Sequence, residues 1–65
     1  MRVKVNGEHY QTECSTLEQL VVQQELNPDS VVAEVNREIV KKENWADFCL
    51  KDEDRVELVR FVGGG

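Results

Sequence analysis

Three glycines, Gly63, Gly64 and Gly65, close the sequence directly behind the alternating apolar stretch RVELVRFV at 55–62. Glycine has no side chain to pack and loses much conformational entropy when ordered, so neither strand nor helix is expected to continue into the tail. Extended, three residues reach about 10 Å past the folded body. A tail without Cβ atoms can thread a channel too narrow for other residues, and its last carbonyl is unhindered. A main-chain carboxylate is an anion at neutral pH and a poor electrophile. It becomes reactive only after activation, for example by adenylation with ATP, which turns one carboxylate oxygen into part of a leaving group. A sulfur nucleophile or an amine then attacks the carbonyl, and composition does not choose between them.

The rest of the chain offers little competing chemistry. No GxxxxGK[ST] loop is present to cradle phosphates, and neither HExxH nor GxSxG occurs. His9, the one histidine, falls on an expected strand and reads as an exposed strand residue. Asp52, Glu53 and Asp54 form a run of carboxylates ahead of the last strand, most simply a solvated turn. Cys14 and Cys49 lack the CxxC spacing of a metal or redox pair, and they read as reduced, buried or half-buried structural thiols. The sequence therefore predicts no catalytic residue, no metal site and no bound cofactor, with any nucleotide site supplied by another protein.

Composition narrows the partners. Thirteen acidic residues against eight basic give a net charge of -5, which disfavours nucleic acid and suits a basic protein surface. No apolar run approaches the ~20 residues that cross a bilayer, and MRVKVNGEHY has neither the apolar region nor the cleavage site of a secretory signal. The expectation is a cytoplasmic protein that starts at Met1, with no membrane partner and monomeric when free. A chain of 65 residues buries only about 60% of the surface exposed on unfolding, so the core is small and an internal cavity is not expected.

The elements that must present the tail follow from periodicity. Asn6-Gly7 inside MRVKVNGEHYQTE signals a tight hairpin, which pairs Val5 with Glu8, Val3 with Tyr10 and Met1 with Thr12, and sets Met1, Val3, Val5 and Tyr10 on the core face. Thr16 with Gln19, or Ser15 with Glu18, makes a capping box for a helix of roughly three turns whose stripe is Leu17, Leu20 and Val21 and which ends at Asn27-Pro28. A strand follows with Val31, Ala33 and Val35 on one face, then a turn at Asn36-Arg37 and a short strand at Ile39 and Val40. Residues 41–47 are polar and irregular apart from Trp45, an apolar plug joined by Phe48 and Leu50. The last strand spans 55–62 with Val56 and Leu58 on one face and Val59 and Phe61 on the other. The order gives an α+β fold: a mixed four- to five-stranded sheet with one helix across one face, formed by residues 1–62, and a flexible tail at 63–65.

These residues resemble a known family. VNG at 5–7, VNREIV at 35–40 followed by ENW at 43–45, DEDRVELVRFVGGG at 52–65 and the total length are similar to the ThiS family of sulfur carriers in bacterial thiamine biosynthesis, ubiquitin-like proteins of the β-grasp fold. A closing Gly-Gly alone is shared with ubiquitin-like modifiers and the molybdopterin synthase small subunit; here a third glycine lengthens the tail. The resemblance implies that Gly65 is adenylated by the ATP-using adenylyltransferase ThiF and converted to a thiocarboxylate with sulfur drawn from cysteine by a desulfurase. The thiazole synthase ThiG then takes that sulfur for the thiazole ring. Gly64 and Gly63 give access, while Val59, Phe61 and Val62 form an outward docking patch beside the tail. Delivery to molybdopterin or transfer RNA, protein modification through an amine, and a non-covalent β-grasp module are the alternatives.

Overall fold

Asn6 and Gly7 have positive φ angles of 49° and 87°, as a type I′ turn requires at both central positions. The turn folds β1 (Arg2–Val5) antiparallel onto β2 (Glu8–Gln11) with Val5 opposite Glu8 and Val3 opposite Tyr10, and the Thr12 N–H donates to the Met1 carbonyl at 2.9 Å. This computed structural model describes residues 1–62. Asn36 and Arg37, with φ of 52° and 73°, turn β3 (Val31–Val35) into β4 (Glu38–Val40) in the same way. The last strand, β5 (Arg55–Arg60), enters between the two hairpins, parallel to β1 and antiparallel to β3. The result is a five-stranded mixed sheet in the order β2-β1-β5-β3-β4.

One helix, α1 (Leu17–Gln23), crosses the sheet. Of the two expected capping boxes, the one formed is that of Thr16: its hydroxyl accepts from the Gln19 N–H at 3.3 Å, and the Gln19 side chain accepts from the Thr16 N–H at 3.3 Å. The helix has seven residues and not the three turns expected. Glu25 takes a φ of 59°, and its N–H donates to the Val22 carbonyl. Gln23, Gln24 and Glu25 offer the sheet nothing apolar, so the chain turns back there and packs Leu26 against the core. Two 3-10 segments follow, Pro28–Ser30 and Lys42–Asp47, the second where irregular chain was expected.

The core joins Val3 and Val5 of β1, Val31, Ala33 and Val35 of β3, and Val56 and Leu58 of β5 to Leu17, Leu20 and Val21 of α1. Trp45 plugs one end as expected, 2% exposed, with its indole N–H donating to the Val40 carbonyl at 2.8 Å; a buried indole needs such a partner. Leu50 is buried and Phe48 half-buried against it. Met1 and Tyr10, expected on the core face, are 40% and 38% exposed. For Tyr10 the physical reason is that β2 is an edge strand, exposed at every residue, and a two-turn helix does not reach over it; Met1 lies ahead of β1, beyond the ladder. Thr12 takes the interior place, donating its hydroxyl proton to Gln23 Oε1 at 3.2 Å.

Candidate functional site

β5 positions everything near the tail, and both hairpin turns hold it. Beyond Val56, β1 has turned away, and the Asn6 side chain continues the ladder in its place. Its Oδ1 accepts from the Leu58 N–H at 2.8 Å and its Nδ2 donates to the Leu58 carbonyl at 3.2 Å. On the other flank, Asn36 Oδ1 accepts from the Arg55 N–H at 3.0 Å while the Asn36 N–H donates to the Arg55 carbonyl at 2.8 Å. The strand itself ends at Arg60, two residues earlier than the sequence suggests, although the Phe61 N–H still donates to the Ser30 carbonyl at 3.0 Å. Gly63, Gly64 and Gly65 lie outside the described residues.

Alternation along β5 turns Val56 and Leu58 inward and Val59 outward, and beyond the strand's end Phe61 and Val62 are exposed as well, as expected. Register adds residues that the sequence did not single out. Val32 lies directly opposite Val59, and Ile39 lies opposite Glu34, the next residue on the same face of β3. Both Val32 and Ile39 are exposed. The alternation in SVVAEV already pointed Val32 away from the core; what the sequence lacked was the strand pairing that sets it beside Val59.

The competing candidates scatter. His9 is exposed on β2, at the sheet edge. The acidic run forms the turn expected, with Asp52 and Glu53 exposed, but Asp54 is buried, and all three side chains tie the turn to the rest of the fold. The Asp54 carboxylate, 8% exposed, accepts from Asn36 Nδ2 at 2.9 Å and from the Lys51 N–H at 2.8 Å. Asp52 accepts from the Arg2 N–H, and Glu53 forms an ion pair with the Arg2 guanidinium. Among the described residues no group of three or more histidine, cysteine or acidic side chains is arranged to hold a metal. Both cysteines are free; Cys14 is half-buried as expected, whereas Cys49 is exposed. Cys49 sits in an isolated β-bridge with Thr16, and the alternation that buries Leu50 turns its neighbour outward. The described residues thus present an exposed apolar face beside the strand that leads into the glycines.

Comparison with known proteins agrees with this architecture. The family model described as "ThiS family" matches residues 2–65. The chain is 34% identical to the sulfur carrier protein ThiS of Bacillus subtilis over 97% of its own length and 98% of that protein's. It is 33% identical to a thiazole synthase of Magnetococcus marinus over its full length, spanning only 20% of that longer protein. The crystal structure of the thiamine biosynthesis protein ThiS from Geobacter metallireducens superposes with a TM-score of 0.85 at 28% identity, each chain covered in full. With both the sequence pattern and the ubiquitin-like β-grasp arrangement of sheet and helix in agreement, this chain belongs to the ThiS family.

Proposed function

We propose that this chain is a sulfur carrier for thiamine biosynthesis, a protein cosubstrate with its reactive atom at Gly65 and no catalytic group of its own. The observation that carries the reading is the end-to-end similarity to the sulfur carrier of Bacillus subtilis. In the reaction, a carboxylate oxygen of Gly65 attacks the α-phosphate of ATP in a partner adenylyltransferase of the ThiF type, and pyrophosphate leaves. A desulfurase passes on cysteine sulfur as a persulfide, whose outer sulfur attacks the acyl carbonyl and displaces AMP. A thiol then reduces the S–S bond of the acyl disulfide formed and releases the thiocarboxylate, which a ThiG-type thiazole synthase consumes. The similarity to a segment of a longer thiazole synthase supports that last partner.

The chain's own part is presentation. Val59, Phe61 and Val62 dock on the adenylyltransferase, and Gly63 and Gly64 pass Gly65 into its nucleotide site. The work is assigned to the cytoplasm, where the desulfurase and ATP are available; no helix among the described residues is long and apolar enough to cross a membrane.

The test is intact mass spectrometry after incubation with the adenylyltransferase, ATP, cysteine, a desulfurase and a thiol reductant. The expected result is one oxygen-for-sulfur exchange at the terminus, abolished in a chain lacking Gly64 and Gly65 or extended beyond Gly65. An unchanged mass with active partners overturns the reading.

A further inference from the structure

The sheet face away from the helix is sorted into rows. Farthest from the tail, His9, Lys4 and Arg55 lie side by side across β2, β1 and β5. Next come Glu57, Glu34 and Ile39 across β5, β3 and β4. Nearest the tail, Val59 and Val32 face each other, with Phe61 beyond them. Charges of one sign are thus grouped with their like across the strands.

The Glu34–Glu57 pair is the anomaly. Like charges directly opposite on neighbouring strands destabilise a sheet, and this pair adjoins exposed Val32, Val59 and Ile39, side chains that do nothing to solvate a carboxylate. The ion pairs among the described residues are Arg2–Glu53 and Lys42–Asp29, so neither glutamate has a cationic partner. Glu57 is exposed and Glu34 half-buried, so water reaches both, but no cationic side chain among the described residues sits between these two acids at the border of the apolar patch. A docking partner accounts for both: its apolar surface covers Val32, Val59 and Phe61, and a cation beside that surface enters between the two acids.

We propose that Glu34 and Glu57 together receive one arginine or lysine of the adenylyltransferase, and that this contact sets how the carrier is turned on that partner. The proposal rests on the carrier reading above and identifies the chemistry of its docking partner. Complementarity of charge selects the occupant: a basic side chain within an apolar surface satisfies the acidic row, whereas a second copy of this chain would set glutamate against glutamate across a two-fold axis through the pair. The rows also fix orientation, because a partner turned end for end would bring its cation to Lys4 and Arg55. Mispairing of that kind penalises the wrong pose.

The experiment compares the wild-type chain with the double variant Glu34→Gln, Glu57→Gln in ATP–pyrophosphate exchange catalysed by the ThiF adenylyltransferase of the same genome. Direct binding by calorimetry and thermal unfolding are measured alongside. A second double variant, Glu18→Gln, Glu25→Gln, removes the same charge from other exposed positions. The first variant is expected to raise KM and Kd by about tenfold or more with kcat unchanged. Its Tm should hold or rise, since the like-charge pair is gone, and the second variant should stay near wild type. A KM and Kd within twofold of wild type, an equal loss in the second variant, or a loss that tracks a fall in Tm each overturns the proposal. The arms are separable: tight wild-type binding without adenylation refutes the carrier reading alone, while adenylation indifferent to the two glutamines refutes only the docking contact.

Discussion

Asn6 and Asn36 show how much one side chain does in a small sheet. Each takes a left-handed turn position, and each also offers its amide to β5 where a backbone rung would otherwise be missing. Asn6→Gly separates these roles, because glycine keeps the positive φ and removes the rung. Leu58, almost wholly buried, then loses the partners of its N–H and C=O. The expected cost is about 1–2 kcal/mol, measured by urea unfolding, with faster hydrogen exchange at the Leu58 amide. An unchanged exchange rate would show that the rung contributes nothing. The sequence announced the turn through Asn6-Gly7, since the conformational preference is local. It gave no sign of the second role, which depends on a strand about fifty positions away in the chain.

The elements divide along the same line. Both hairpins, the capping box and the inward faces of β1, β3 and β5 were legible because each is a short-range pattern of residue type. The end of α1 was not: Pro28 is a strong stop signal, yet the helix yields earlier because residues 23–25 have nothing to bury. Exposure of Tyr10 was hidden for a related reason, since alternation assigns a face but not whether a helix covers it. Of the candidate site, outward Val59 and Phe61 could be read from β5 alone, while Val32 and Ile39 needed the pairing of three strands. A seven-residue helix has little intrinsic stability and depends on its cap and its buried stripe. Thr16→Ala removes the hydroxyl that accepts from Gln19 and is expected to cost about 1 kcal/mol in thermal or urea unfolding. Thr16→Ser, which keeps that acceptor, should stay close to wild type.

For the molecule as a whole, the net charge of -5 sets a long-range field. Attraction to a basic partner acts mainly on encounter, so the association rate constant with the proposed adenylyltransferase should fall about tenfold between ~10 mM and ~150 mM salt, with dissociation much less affected. Stopped-flow mixing measures both, and a salt-independent association rate would remove electrostatic steering from the account. The order β2-β1-β5-β3-β4 carries a different implication. The middle of the sheet is filled by the strand that is translated last, and until it arrives the two hairpins have no common neighbour. A polypeptide released early from the ribosome, short of Arg55, therefore has no way to close its interior. Such fragments leave no folded decoy, so only chains that have received their central strand can set Val59 beside Val32.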